Sequence, residues 1–164
     1  MRALNPLAIL VLATFVSSSM AKEVPSKFFG KFVLDRSENF DEFLASKGVG
    51  WITRQLIKLA SVTKVFEKGT EGGTYNMENL SSKKNVKYTG WKLGEKFQAE
   101  GLDSTQHEIT FDMVGDELTE HHIRIDKPEF TPETYHYTVT DDNSLLVMKM
   151  TNNDITCRRF FKRQ

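Results

Sequence analysis

From Val62 to the C-terminus the chain is a succession of short segments in which apolar and polar residues alternate, at 62–68, 74–80, 83–91, 96–102, 105–113, 118–126, 134–140, 144–151 and 155–163. The breaks between them carry turn chemistry: Gly69 with Gly72-Gly73, Gly94, Gly115-Asp116, Lys127-Pro128 and Asp141-Asp142-Asn143. A first strand at 30–36, with Phe32 and Leu34 on one face, brings the total to about ten, the rhythm of an antiparallel meander that closes as a barrel.

One stretch breaks that rhythm. In "ENFDEFLASKGVGWITRQLIKLA" (38–60), Phe40, Phe43 and Leu44, then Ile52, Leu56 and Leu59 or Ala60, recur at helical spacing. Ser37-Glu38-Asn39 offers helix-capping residues with acids following at Asp41 and Glu42, and Gly48 and Gly50 separate a first helix from a second at 51–60. A helix pair inside one strand-to-strand connection is too small to cover a sheet face, but it can close one end of a barrel. The expected fold is therefore all-β, a ten-stranded antiparallel β-barrel of the clam type capped by a helix-turn-helix lid.

At 164 residues there is room for one domain. Residues 1–21 place Arg2 before an apolar run from Leu7 to Val16 and end on Ser19-Met20-Ala21, the pattern of a secretory signal peptide cleaved after Ala21; the run is too short to span a bilayer. The domain is then 22–164, with 21 basic against 22 acidic side chains, a balance that argues against nucleic acid as a partner. Cys157 is the only cysteine, so no disulfide can form within the chain.

In the last strand, Ile155, Cys157, Arg159 and Phe161 share the more apolar face, which puts Arg159 inside the barrel. A buried guanidinium is costly unless an anion meets it, and its planar fork suits a carboxylate. Either an internal acid or a ligand carboxylate can fill that role; the apolar character of the neighbouring strands favours the ligand.

"GKFVLDRSENFDEFLASK" (30–47), "GVGWITRQLIKLA" (48–60), "LGEKF" (93–97) and "RRFFKRQ" (158–163 and the terminal Gln164) resemble, in order, the first strand and helix, second helix, middle turn and last strand of the intracellular lipid-binding proteins, the fatty-acid- and retinoid-binding family. "YNMENLSSKK" and "LDSTQHEITFD" are similar to the secreted nematode group of that family, which shares the signal peptide. The resemblance implies a large internal cavity in a lipid-binding domain at 22–164, a portal framed by 38–60 and the turn at Ser82–Asn85, and a secreted, extracellular monomer. Its expected ligand is a long-chain fatty acid or a similar hydrophobic molecule, a retinoid being a variant. The alternative is a secreted interaction protein whose cavity is filled by side chains.

Carried over by position, the resemblance makes Arg159 the carboxylate-binding arginine, with Phe161 where the family usually has a tyrosine, and Tyr137 nearest the place of a second inward arginine. Phe40 and Phe111 would line the apolar wall, and Cys157 shares the inward row. In "ELTEHHIRID" (117–126), Glu120, His122 and Arg124 face inward if Leu118 does; the opposite register, which buries Ile123 and Ile125, is the preferred one. Trp51, Arg54, Lys58 and Lys84 fall at the portal, where Arg54 and Lys58, flanked by Lys47 and Lys64, could make transient contact with anionic membranes. His121-His122 and His107 have no metal-ligand spacing, and no catalytic or cofactor motif is present, so neither metal, cofactor nor enzymatic activity is expected. Asn79-Leu80-Ser81 is a glycosylation sequon inside an expected strand.

Overall fold

The computed structural model describes residues 22–164; the expected signal peptide at 1–21 lies outside them. Ten strands form one antiparallel sheet: β1 (Gly30–Glu38), β2 (Val62–Lys68), β3 (Tyr75–Ser81), β4 (Val86–Trp91), β5 (Lys96–Glu100), β6 (Gln106–Val114), β7 (Glu117–Arg124), β8 (Glu133–Val139), β9 (Leu145–Asn152) and β10 (Ile155–Arg163). Their order, β4-β3-β2-β1-β10-β9-β8-β7-β6-β5, bends the sheet into a nearly closed barrel. β1 closes it by serving two partners. Residues 30–33 pair with β2 and the strand continues to Glu38 beside β10, with a shift in register between Leu34 and Arg36.

β4 and β5, the two ends of the sheet, are bridged by aromatic packing instead of a ladder. Tyr88 of β4 meets Phe97 of β5 edge-on at 5.6 Å, and Trp91 stacks on Phe111 of the next strand, β6, at 4.0 Å between ring centroids. A single turn of 3₁₀ helix at Ser26–Phe28 plugs the end of the barrel away from the helix pair, with Phe28 fully buried. Arg163 donates to the Phe29 and Lys27 carbonyls at 2.7 and 2.5 Å, tying this N-terminal plug to the last strand.

The connection from β1 to β2 holds α1 (Phe40–Ser46) and α2 (Trp51–Lys58). Asn39 makes the turn into α1 differently from the expected side-chain cap. It adopts the left-handed conformation at φ 54°, which asparagine tolerates, and its amide donates 3.1 Å across to the Thr156 carbonyl. At the other end Gly48, at φ +78°, lets its own N–H reach Ala45 O and the Val49 N–H reach Leu44 O, ending the helix.

The periodicity of α2 is as expected, but its covered face is not. Ile52, Leu56 and Leu59 point to solvent, and the helix turns Ile57 toward the barrel and buries no residue fully. A lid seated over an opening, with no packed layer beneath it, has nothing against which to bury a full stripe.

Candidate functional site

The closed end of the barrel is filled by side chains, Phe32, Phe66, Leu118, Leu146 and Phe161 among them. Under the helices the packing opens into a cavity of about 280 Å³, walled by Phe40, Phe43, Leu44, Ile57 and Val62 with Met148 and Met150. Ser81, Lys83 and Lys84 of the β3–β4 turn close its rim, so both segments expected to frame a portal do line one cavity. A more polar space of about 150 Å³ adjoins it, sharing Lys64, Asn79, Leu102 and Tyr135.

β10 delivers Arg159 as the strand alternation requires: Cys157, Arg159 and Phe161 are buried in turn. Only 9% exposed, the guanidinium lies 4.3 Å from the Phe40 ring centroid, and its one hydrogen bond among the described residues is a 3.2 Å donation to Ser37 Oγ. Burial pushes its pKa down to about 10.

β2 delivers a second cation. Lys64 sits on the inward row Val62-Lys64-Phe66 and is 3% exposed. Its ammonium lies 5.3 Å from the Tyr137 ring centroid and 5.9 Å from that of Phe161, the ring that Arg159 approaches at 5.8 Å. Among the described residues it has no hydrogen bond or ion pair. Burial lowers its pKa to about 8, and the Arg159 charge adds to that against the opposing pull of Glu120. Sequence reasoning placed Lys64 on the outside, beside the helix; the alternation through Val62 and Phe66 was the signal that could have found it.

Among the described residues, one acid is fully buried in the interior. β7 runs in the register that buries Leu118, Glu120 and His122, not the one expected to bury Ile123 and Ile125; Arg124, on the same row, is turned to Asp126 at the surface end. Glu120 pays for its burial through two partners: the Tyr137 hydroxyl donates to Oε2 at 2.6 Å, and His122 Nε2 lies 2.7 Å from Oε1. Burial alone would raise its carboxyl, but His122, Lys64 and Tyr137 together hold it below the usual carboxylate range. The preference for buried aliphatics fails here because the row gains a satisfied network, and Ile123 is only half-buried in exchange.

The remaining expected residues divide. Phe40 and Arg159 line the cavity, while Phe111 of β6 stacks on Trp91 of β4 in the aromatic seam and Cys157 belongs to the packed interior, where burial raises its thiol to about 11. Phe161 lies beneath the two cations. Of the portal residues, Trp51 is 66% exposed on α2. Arg54 and Lys58 both reach Asp41 of α1, at 3.2 and 3.1 Å, so their charge is partly spent within the lid. Lys84 is held by Glu100, by the Gly101 carbonyl at 3.2 Å and by Ser104 Oγ at 2.8 Å, which straps the β3–β4 turn to the loop after β5. Asn79 is inward-facing and 7% exposed, which leaves the sequon no room for a glycan.

No protein-family model matches the chain. It is 61% identical over 140 residues to fatty acid-binding protein homolog 4 of Caenorhabditis elegans, covering 85% of this chain and 96% of that one. A fatty acid-binding protein homolog of Ascaris suum is 48% identical over 167 residues, the whole of both chains. Among solved structures, As-p18, described as an extracellular fatty acid binding protein, superposes with a TM-score of 0.83 at 49% identity, covering 87% of this chain and all of that one. The Schistosoma mansoni fatty acid binding protein in complex with arachidonic acid superposes at 0.71 with 26% identity, over 87% of this chain and 99% of that one.

Proposed function

The chain belongs to the fatty-acid-binding protein family, and we propose that it is a secreted carrier which takes a long-chain fatty acid into the cavity beneath α1 and α2 and holds its carboxylate between Arg159 and Lys64. The observation that carries this reading is a pair of buried cations on one apolar cavity, with no carboxylate within ion-pair distance of either among the described residues. Of the carboxylates that line these spaces, the buried Glu120 is already engaged by Tyr137 and His122, and Glu133 by Lys47 and Tyr135. An anion from outside the chain would relieve the cost of burying both charges, and an aliphatic tail suits the phenylalanine and methionine walls.

Burying roughly 15 methylenes at about 0.8 kcal/mol each gives on the order of 12 kcal/mol gross. Lost ligand freedom brings this to about −8 to −10 kcal/mol, a micromolar to tens-of-nanomolar Kd. Tyr137 contributes by holding Glu120 away from the cations. Phe40 covers the guanidinium, and Phe161 is the floor on which both cations rest.

The same reading gives α2 a role in delivery. Trp51, Ile52, Leu56 and Leu59 form an exposed apolar surface, 51–82% accessible, on the helix that covers the cavity, and contact between that surface and a membrane would bring the portal to the lipid. Secretion is supported by the pattern of residues 1–21 and by the extracellular description of As-p18; the protein acts as a monomeric carrier without catalysis.

The test is titration of the delipidated protein with a fluorescent fatty acid, followed by competition with oleate and retinol. Saturable one-to-one binding displaced by oleate is expected. A folded protein that binds nothing would transfer the fold to a non-lipid role.

A further inference from the structure

Lys64 is the one buried lysine among the described residues, and the carrier reading uses it as a second cation beside Arg159. A permanent charge would serve that purpose as well, and the fold already has one in the guanidinium. What a lysine adds is a nitrogen that can lose its proton and become a nucleophile.

The surroundings favour that state. Among the described residues the nitrogen has no hydrogen-bond or ion-pair partner, and its nearest rings are Tyr137 and Phe161, with centroids at 5.3 and 5.9 Å. Three unpaired side-chain atoms of the interior, Asn79 Oδ1, Trp91 Nε1 and His107 Nδ1, are completely enclosed. Lys64 Nζ is not one of them, and its side chain lines both the cavity of about 280 Å³ and the space of about 150 Å³ beside it, so the amine is open to a molecule in the cavity.

Burial is the main influence on its charge; Arg159 adds to it and Glu120 opposes it. With the pKa at about 8, about a quarter of the molecules hold a neutral amine at pH 7.5, against roughly one in a thousand for an ordinary lysine. A fatty acid reverses this, because its carboxylate returns the proton to Lys64. A neutral headgroup does not.

We propose that Lys64 captures long-chain aldehydes, fatty or retinoid, as a reversible imine inside the cavity. The inference rests on the carrier reading for entry of the chain and goes beyond it in the headgroup. The nitrogen lone pair attacks the aldehyde carbon, a C–N bond forms, and the carbonyl oxygen takes up a proton as the nitrogen gives one up. The carbinolamine then expels its hydroxyl, with the second nitrogen proton, as water and leaves C=N; nothing is oxidised or reduced, and water reverses the step. An imine is less basic than an amine, so it stays neutral here and removes the buried charge that the free lysine imposes. An alcohol offers no electrophilic carbon and a carboxylate is held as an ion, so this chemistry separates aldehydes from both.

The test incubates delipidated protein at pH 7.5 with hexadecanal or all-trans-retinal and sodium cyanoborohydride, which reduces an imine to a stable amine, and maps the adducts by peptide mass spectrometry. Lys64 should carry the adduct, heavier by the aldehyde less one oxygen atom, at least about tenfold more than any exposed lysine, a margin that follows from the neutral fractions. Labelling by either aldehyde supports the capture, and the faster one identifies the chain. Excess oleate should suppress the label, and Lys64→Arg should lose it. Because a variant at a buried position can fold poorly, the unaltered protein in urea is the second control, and there the preference for Lys64 should vanish. Label spread over exposed lysines such as Lys22 and Lys31, or no label in a protein that binds oleate, would overturn the capture and leave the carrier intact. Failure of oleate and both aldehydes together would overturn the carrier and the capture with it.

Discussion

The Tyr137 hydroxyl donates to Glu120 at 2.6 Å, and with His122 at 2.7 Å on the other oxygen it holds this buried carboxylate apart from the two buried cations. This arrangement separates what would otherwise be an internal salt bridge. Had Glu120 paired with Lys64 or Arg159, the barrel would have neutralised the carboxylate site proposed for it.

Replacing Tyr137 by phenylalanine removes one of two donors from a buried carboxylate and should destabilise the protein by about 1–3 kcal/mol at neutral pH. Glu120 titrates below its ordinary value in the fold, so its contribution is present above the usual carboxylate pKa and is lost as pH falls through the folded value. Urea denaturation at pH 7 and pH 3 checks both points: the deficit of the variant should shrink at the lower pH.

Lys64 gives the opposite pH signature. Its pKa is about 8 in the fold against 10.5 ordinarily, so below pH 8 the fold carries a charge it has not compensated, and between 8 and 10.5 it releases a proton the unfolded chain keeps. Stability of the ligand-free protein should therefore rise with pH across that interval. Lys64→Met should be more stable than the parent at pH 7, on the order of 2–3 kcal/mol, with the gain gone above about pH 10. A bound carboxylate restores the proton to Lys64, so oleate affinity should fall as pH rises above 8 in the parent and stay level in the variant. Calorimetry in buffers of different ionisation enthalpy reads the proton uptake directly.

Asp41 receives both Arg54 and Lys58, and Arg54 also donates to the Val49 carbonyl at 2.9 Å, so one carboxylate pins α2 to α1. Asp41→Asn should loosen the lid and raise the rates of ligand entry and exit several-fold together, with little change in Kd. Stopped-flow with a fluorescent fatty acid measures both rates; unchanged rates would mean the lid does not gate the cavity.

Leu59→Ser with Trp51→Ser removes two exposed apolar groups of α2 that touch nothing in the core. Transfer of a fluorescent fatty acid to anionic vesicles should slow several-fold at unchanged affinity. Transfer rates independent of vesicle concentration would exclude a collisional contact.

The barrel was largely legible because alternation and turn residues act locally: nine strand segments after residue 60 and the two glycine-separated helices correspond to observed elements within a few residues. Arg159 was legible for the same reason, since Cys157 and Phe161 on its row decide its direction. Lys64 and Glu120 were not, because a single polar residue on an apolar row reads as solvated until its partners across the barrel are known, and Tyr137, His122 and Phe161 come from strands far apart in sequence. The exposed stripe of α2 was hidden by the converse assumption, that apolar residues at helical spacing must be covered.

Carbon-13 NMR of carboxyl-labelled oleate bound to the delipidated protein tests the central claim most directly. If Arg159 and Lys64 hold the carboxylate, the bound signal should be a single resonance that stays ionised well below pH 4, the ordinary carboxylate range, and it should shift in both Arg159→Gln and Lys64→Met. A bound resonance that titrates like an exposed carboxylate and is the same in both variants would contradict that placement.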